Sequence, residues 1–242
     1  MIEYVVPGNI DDRILSKTVN LLHQGGIAAI PTDTSWSLVC SIKSREGIRR
    51  LKEISKDKNE RLFTLFCSDI SQFGDFCSLD NTRFRLIKRL TPGPYVFILK
   101  TLTGTEKALS LRRNEIGVRL PDYPIPLAII NSLGCPLYGM TAKRNMTMSS
   151  SEDTAREDFT SPLSKDNLSL DNPPVDIVDA EEEARYYTEE TLFEGGWELE
   201  NVRGLDLILD PGEDRSRIFS TVLDLSSGDV QVLRQGAGIW PV

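Results

Sequence analysis

The stretch Pro31-Thr32-Asp33-Thr34-Ser35-Trp36-Ser37-Leu38 carries the strongest fold and function signal in this chain of 242 residues. Two glycines at positions 25 and 26 and an apolar run to Ile30 precede it. This order predicts a helix that ends at the glycines and a buried strand over 27–31. Pro31 ends the strand because proline has no amide hydrogen for a neighbouring strand. Hydroxyls and a carboxylate just past a strand are typical of α/β ligand sites, and also of an ordinary polar turn.

The overall composition is that of a globular protein, with 40% hydrophobic and 26% charged residues. No apolar run approaches the roughly 20 residues that a membrane-spanning helix needs. The start, residues 1–4, has neither the basic nor the apolar part of a signal peptide. A cytoplasmic protein without a membrane partner is therefore expected. The four cysteines form no CxxC pair, which predicts buried free thiols and no structural metal: Cys40, Cys67, Cys77 and Cys135.

The net charge of −8 is unevenly distributed along the chain. Residues 151–200 contain 16 acidic and 3 basic side chains, whereas the rest contains 20 acidic and 25 basic ones. We interpret the acidic part as an insertion at about 148–203 within a single domain over 1–242. The mildly basic remainder favours an anionic ligand on the main body.

Turn residues and hydrophobic spacing predict alternating helices and strands. Residues 147–174 are polar and predict a loop, 175–180 a short strand or helix start, and 188–201 a locally packed helix. The alternation predicts an α/β or α+β domain around one mixed sheet. The predicted helices are 10–24, 45–55, 81–90 and 124–133, and the predicted strands are 27–31, 36–41, 62–67, 95–100, 116–120, 137–141, 205–209, 220–225 and 230–234.

The quoted stretch resembles the PTDTVYGL signature of the YrdC/YciO family, the threonylcarbamoyl-adenylate synthases and their relatives. Five later segments resemble further family motifs in the family's order: 91–99 (WPGPLTLIL), 116–121 (VGVRVP), 136–143 (PL..TSAN), 219–224 (STVVDL) and 233–237 (LREGA). Residues 80–100 are closest to the YciO branch. The resemblance implies a single YrdC-like domain, with a twisted mixed parallel/antiparallel sheet, helices packed around it and an open concave site.

The resemblance also implies a reaction. Synthases of this family join L-threonine, bicarbonate and ATP into threonylcarbamoyl-AMP and pyrophosphate, for the threonylcarbamoyladenosine (t6A) modification of tRNA. Mg²⁺ is the expected companion of ATP. The alternative is a member without catalysis that binds a nucleotide, double-stranded RNA or tRNA. Lysines and arginines within 43–61 and 83–119 could line such a surface, although a basic helix face is often simply solvated.

The family's site residues correspond to particular residues of this chain. The threonine-binding residues correspond to Thr32, Arg119 and Ser220, and the nucleotide-binding residues to Arg61, Thr141, Lys143 and Arg234. A guanidinium group suits a carboxylate or a phosphate because it can donate two parallel hydrogen bonds. By themselves, Arg119 could be a surface residue at a strand end, and Ser220 a residue that only favours strand structure.

Several positions depart from the family pattern. A lysine and an arginine expected to steer bicarbonate and triphosphate fall on Ser55 and Asp57, if Arg61 marks the later basic position. Shifting the alignment by one residue would place Lys56 and Lys58 there instead. Lys143 replaces an asparagine, and with Arg144 it either contacts phosphate or belongs to a solvated turn. Trp36-Ser37 replaces the Tyr-Gly of the signature.

Overall fold

A computed structural model describes residues 1–55, 63–111, 113–146 and 189–240 of the chain. Three 3₁₀ turns accompany the helices and strands, at Arg144–Met146, Glu189–Thr191 and Gly196–Asn201. The elements in chain order are β1 (Ile2–Tyr4), α1 (Asp12–His23), β2 (Ala28–Pro31), β3 (Trp36–Ser41), α2 (Arg45–Ser55), β4 (Thr64–Phe66), α3 (Ser71–Gly74), α4 (Asn81–Leu90), β5 (Tyr95–Lys100), α5 (Thr105–Leu109), β6 (Glu115–Arg119), α6 (Pro124–Leu133), β7 (Leu137–Thr141), β8 (Leu207–Asp210), β9 (Thr221–Asp224) and β10 (Gln231–Arg234).

The ten strands within the described residues belong to one sheet with the order β1-β8-β2-β3-β7-β4-β6-β5-β9-β10. The pairs β1/β8, β2/β8, β4/β6 and β5/β9 are parallel. The remaining pairs are antiparallel. The predicted α/β fold around one mixed parallel/antiparallel sheet is therefore confirmed.

Local sequence signals fix the helix ends. The Asp11 carboxylate accepts a hydrogen bond from the Arg13 amide at 2.8 Å and so caps the start of α1. Asp80 caps α4 in the same way through the Arg83 amide. Gly134 ends α6 in the left-handed conformation that glycine adopts without strain. These signals explain why the predicted helices agree with the observed ones to within about two residues.

The strands alternate between two cores because successive side chains of a strand point to opposite faces. In β3, Leu38 and Cys40 lie in the larger core, whereas Val39 lies in the smaller one. The smaller core packs α1 and α6 against the sheet through Leu22, Ile129 and their neighbours. All four cysteines are buried free thiols, as predicted.

The face covered by α1 and α6 continues as a row of small, polar and half-buried side chains. The sheet register places Thr64 beside both Gly139 and Gly117, and Ile98 beside both Gly117 and Asp224. None of these residues belongs to the core under α1 and α6. Arg119 lies on the same face of the sheet, because it pairs with Phe66 of that core in the register of β4 and β6.

The structure differs from the sequence expectation after residue 188. The helix predicted over 188–201 is replaced by two 3₁₀ turns, separated by residues 192–195. A Cβ atom at Gly196 would lie 2.3 Å from Oδ2 of Asp210, so a side chain at this position would displace the carboxylate of Asp210. The segment predicted over 175–180 lies outside the described residues. Among those residues, no helix has the length and apolar character needed to cross a membrane.

Candidate functional site

Arg119 is the centre of a buried polar cluster at the carboxyl end of β6. Its guanidinium donates hydrogen bonds to Ser220 Oγ at 2.7 Å, Asp33 Oδ1 at 2.6 Å and Thr34 Oγ1 at 3.1 Å. The residue is only 3% exposed, so it is not the surface arginine that its position at a strand end allowed. We call Arg119, Asp33, Thr34 and Ser220 the arginine cluster.

The sheet brings together residues that lie far apart in sequence. Only β5 separates β6 from β9, and Ser220 directly precedes β9. Two strand spacings of about 4.8 Å are within reach of an extended arginine side chain. The turn after β2 comes from the other side, since β7 and β4 lie between β3 and β6. Asp33 and Thr34 of this turn reach the guanidinium of Arg119 across these two strands.

The arginine cluster leaves two buried polar atoms without hydrogen-bond partners among the described residues. They are Nε of Arg119 and Oδ2 of Asp33. Burial lowers the pKa of the Arg119 guanidinium, and the Asp33 charge opposes this effect. Leaving a buried polar atom unpaired costs about 1–3 kcal/mol. A ligand that offers both an acceptor and a donor would recover this cost, so the cluster has the character of a binding site.

Thr32 supports the turn with its own hydroxyl group. The hydroxyl donates to the Ser35 carbonyl at 2.7 Å and accepts from the amides of Thr34 and Ser35 at 3.2 and 3.3 Å. The residue is fully buried. In this geometry its only hydroxyl hydrogen is used within the turn. The contact with threonine that the resemblance implies for Thr32 stays a prediction.

A second group of side chains, adjacent to the arginine cluster, surrounds the ring of Phe219. Lys143 Nζ lies 5.6 Å and Arg234 Cζ 4.8 Å from the ring centroid. Arg234 Nε also donates to the Ser220 carbonyl at 3.0 Å. Lys143 is 2% exposed, so it does not belong to a solvated turn. Lys143 and Arg234, both predicted to bind a nucleotide, therefore lie beside Ser220, which was predicted to bind threonine.

For the remaining residues singled out in the sequence, no contact with the arginine cluster is found among the described residues. Thr141 is half-buried at the end of β7, where it pairs with Ser37 of β3. Ser55 ends α2, where its hydroxyl donates to the Lys52 carbonyl at 2.8 Å. Arg61 lies outside the described residues, as do Lys56, Asp57 and Lys58, the other positions of the departing motif. The role predicted for Arg61 stays a prediction.

Arg215 is a site residue that the sequence did not reveal. Its Nη2 atom donates to the Thr32 carbonyl at 2.7 Å, and its guanidinium lies 4.5 Å from the centroid of the Tyr123 ring. It belongs to the loop between β8 and β9, where no motif or spacing pointed to it. Asp33 was visible within the opening stretch, but its partnership with Arg119 depends on a contact between residues 86 positions apart.

The glycine-containing segment after β10 has a structural role beside the cluster. The Gly236 amide donates to Thr221 Oγ1 at 2.9 Å, and the Ala237 amide donates to the Phe219 carbonyl at 2.9 Å. A Cβ atom at Gly236 would lie 2.2 Å from the Phe219 carbonyl oxygen. This close approach explains why glycine follows Arg234 and Gln235, and the two hydrogen bonds hold the residues on either side of Ser220.

The expected Mg²⁺ finds no dedicated protein site in the described part of the chain. No group of three or more His, Cys, Asp or Glu side chains there could hold a metal ion. Mg²⁺ usually binds through one or two carboxylates together with substrate phosphates, so it does not require such a group. The Mg²⁺ expected to accompany ATP stays a prediction.

The fold and the site together define an α/β protein with a buried arginine cluster beside a mixed sheet. The chain matches the family model Sua5_yciO_yrdC, described as telomere recombination, over residues 20–175. It therefore belongs to the Sua5/YciO/YrdC family, as the motifs indicated.

Similar proteins include both branches of this family. The uncharacterized protein YciO of Escherichia coli K12 is 36% identical over 135 residues, which are 55% of this chain and 66% of YciO. The match thus spans slightly less than two thirds of that relative. A threonylcarbamoyl-AMP synthase of Xanthomonas axonopodis pv. citri is 28% identical over 135 residues, or 54% of this chain and 72% of the synthase.

Solved structures extend the similarity to nearly the whole chain. The E. coli YciO crystal structure superposes with a TM-score of 0.68 and 27% identity, covering 99% of this chain and 97% of YciO. P. abyssi Sua5 complexed with L-threonine gives a TM-score of 0.71 at 17% identity, covering 98% of this chain and 57% of Sua5. At that identity, the likeness to Sua5 establishes the shared fold alone.

Proposed function

We propose that this chain makes threonylcarbamoyl-AMP from L-threonine, bicarbonate and ATP, with release of pyrophosphate. The product would serve the t6A modification of tRNA. The names of its relatives support this proposal, because one is a threonylcarbamoyl-AMP synthase and another was solved with L-threonine. The observation that carries the proposal is the arginine cluster with its two unpaired buried atoms.

The unpaired atoms suit the two ends of an α-amino acid. The carboxylate of the ligand would accept from Nε of Arg119, because charged hydrogen bonds of this kind are the strongest that proteins form. The amine of the ligand would donate to Oδ2 of Asp33. The Asp33–Arg119 ion pair keeps both groups at fixed positions before the ligand arrives, which lowers the entropy cost of binding.

The neighbouring cations suit the second substrate. In the proposed reaction the threonine nitrogen attacks the bicarbonate carbon, water leaves, and a carbamate forms. A carbamate oxygen then bonds to the α-phosphorus of ATP, and the bond to the bridging oxygen breaks as pyrophosphate leaves with the electron pair. Lys143 and Arg234, beside the Phe219 ring, would supply positive charge to offset the negative charge that grows on pyrophosphate.

Pyrophosphate release tests this proposal directly. We expect the wild-type protein to release pyrophosphate from ATP only when L-threonine and bicarbonate are both present. Replacing Lys143 or Arg234 with methionine should weaken ATP binding by about tenfold, the effect of one lost charged hydrogen bond. Titration calorimetry measures the affinities. Arg13→Met is the matched control, since the side chain of Arg13 is 93% exposed on α1.

Two results would contradict the proposal. One is a wild-type protein that gives no binding heat with ATP and no pyrophosphate with all three substrates. The other is an equal loss of ATP affinity in Lys143→Met, Arg234→Met and Arg13→Met, because the effect would then come from net charge rather than from the site.

A second candidate function, RNA binding, is favoured by the charge pattern of α4. Within Asn81–Leu90 there are four basic side chains and no acidic one. Three of these, Arg85, Lys88 and Arg89, are exposed and form no ion pair with any described residue. By contrast, Arg49 of α2 pairs with Glu46 at 2.6 Å. Unpaired cations on one helix can contact phosphates, which gives affinity without sequence preference.

If α4 binds RNA, the triple variant Arg85→Gln, Lys88→Gln, Arg89→Gln should weaken binding to a short RNA duplex. Each lost phosphate contact lowers the slope of log affinity against log salt by roughly 0.9, so a reduction of roughly 2 to 3 is expected. The control removes equal charge from ion-paired residues, as Arg13→Gln, Lys17→Gln, Arg49→Gln. Equal salt slopes in the two variants, or no binding by the wild type, would contradict RNA binding through α4.

A further inference from the structure

We propose that Arg215 is a positioning residue that sets the spacing between the Thr32–Ser35 turn and the segment that follows Arg119. This role deepens the proposed function, and the expected change in L-threonine affinity rests on that function. No motif of the family resemblance includes this residue. Its role follows from contacts to two segments whose relative position determines the shape of the arginine cluster.

The guanidinium of Arg215 bridges these two segments. Its Nη2 atom donates to the carbonyl of Thr32 at 2.7 Å. Its Nη1 atom lies 3.3 Å from the hydroxyl of Tyr123, and its Cζ lies 4.5 Å from the ring centroid. Tyr123 follows Arg119 by only four residues. The turn and the Arg119 segment are thus connected twice, through Asp33–Arg119 within the cluster and through Arg215 outside it.

The backbone holds Arg215 in this bridging position. Its amide donates to the carbonyl of Glu194 at 2.9 Å. The same carbonyl accepts from Nε1 of Trp36 at 3.0 Å, and Trp36 is the residue directly after the turn. The loop that carries Arg215 is therefore attached to the end of the turn that it supports. Arg215 and Trp36 thus share one backbone acceptor, the carbonyl of Glu194.

The contact with Thr32 matters because the surroundings are buried. Thr32 is fully buried, so its carbonyl would lose a charged donor in a place that bulk water does not reach. The turn would then shift or open, and Asp33 would move with it. Asp33 pairs with Arg119 at 2.6 Å. A shift of the turn would therefore change the positions of Oδ2 of Asp33 and Nε of Arg119 relative to a bound ligand.

Arg217 provides a matched control within the same loop. Its Nε atom pairs with the Glu194 carboxylate at 2.9 Å, and its side chain is 38% exposed. No contact of Arg217 with the turn or with Tyr123 is found among the described residues. Arg217→Met therefore removes a cation and an ion pair from the loop but leaves the bridge of Arg215 intact.

Hydrogen exchange and calorimetry together test the proposal. In Arg215→Met we expect exchange of the peptide over residues 31–37 to accelerate by about tenfold or more, the loss expected for one charged hydrogen bond. Exchange over 137–141 should be unchanged. The affinity for L-threonine should fall by about tenfold while the affinity for ATP stays the same. Arg215→Lys should show smaller changes in exchange over 31–37 and in L-threonine affinity than Arg215→Met. Arg217→Met should change neither quantity.

Unchanged exchange over 31–37 in Arg215→Met would overturn the proposal. Equal acceleration over 31–37 and 137–141 would also overturn it, because Arg215 would then support only general stability. A wild type that does not bind L-threonine would count against the proposed function, while the exchange measurement would still decide the role of Arg215. The two failures are therefore distinguishable.

Discussion

Replacing Arg119 with methionine is expected to lower the affinity for L-threonine by about ten- to a hundredfold. The expected loss is that of one charged hydrogen bond, from Nε of Arg119 to the carboxylate of the ligand, which contributes about 1.5–3 kcal/mol. Arg119→Lys should recover little of the affinity, because the three donors of an ammonium group cannot reproduce the bonds to Ser220, Asp33 and Thr34 and also donate to the ligand. Titration calorimetry with L-threonine measures the affinity in each variant.

The interpretation requires that the protein remain folded. Arg119→Met alone leaves the carboxylate of Asp33 buried without its cation, since Asp33 is 12% exposed, and this costs stability. The double variant Arg119→Met, Asp33→Asn removes both charges and should unfold at a higher temperature than the single variant. If the double variant is folded and still binds L-threonine with wild-type affinity, Arg119 does not hold the carboxylate.

Replacing Gly236 with alanine is expected to lower both stability and threonine affinity. The new Cβ atom would lie 2.2 Å from the Phe219 carbonyl oxygen and 2.6 Å from the Ser220 carbonyl carbon. Both are backbone atoms, so the segment over 219–220 must move rather than a side chain. Overpacking of this kind costs about 1–3 kcal/mol. The movement would also displace the Ser220 hydroxyl, which accepts from Arg119 at 2.7 Å.

Gly228→Ala is the matched control for this prediction. Gly228 is exposed, and a Cβ atom there would meet nothing within 4 Å. The free energy of unfolding, measured by denaturant titration, should be unchanged in Gly228→Ala and reduced in Gly236→Ala. Equal stability and equal threonine affinity in the two variants would show that the segment after β10 does not set the position of Ser220.

The sequence predicted the elements well wherever local chemistry decides them. The glycines at 25 and 26, Pro31 and Gly134 each end an element close to the expected position. The helix predicted over 188–201 was wrong, because its aromatic and acidic residues favoured a helix while Gly196 packs closely against Asp210. Such a contact has no local signature, since Asp210 belongs to a later strand.

The site was only partly predictable for the same reason. Motif resemblance identified Arg119 and Ser220, and the structure places them within 2.7 Å of each other. The resemblance did not show that the Thr32 hydroxyl is used within its own turn, or that Arg215 supports that turn. Both facts depend on which strands become neighbours, and hydrophobic periodicity does not specify strand order.

The strand order also constrains the order in which the sheet can form. β8 lies between β1 and β2, and β9 covers the edge of β5, although both strands follow residue 200 in sequence. Until β8 and β9 have been synthesised, the edges of β2 and β5 remain open to other chains. The sheet can therefore close only after these late strands have joined it. Because these strand pairs join residues that lie far apart in sequence, we expect the domain to fold slowly. Its open strand edges would be exposed to aggregation until folding is complete.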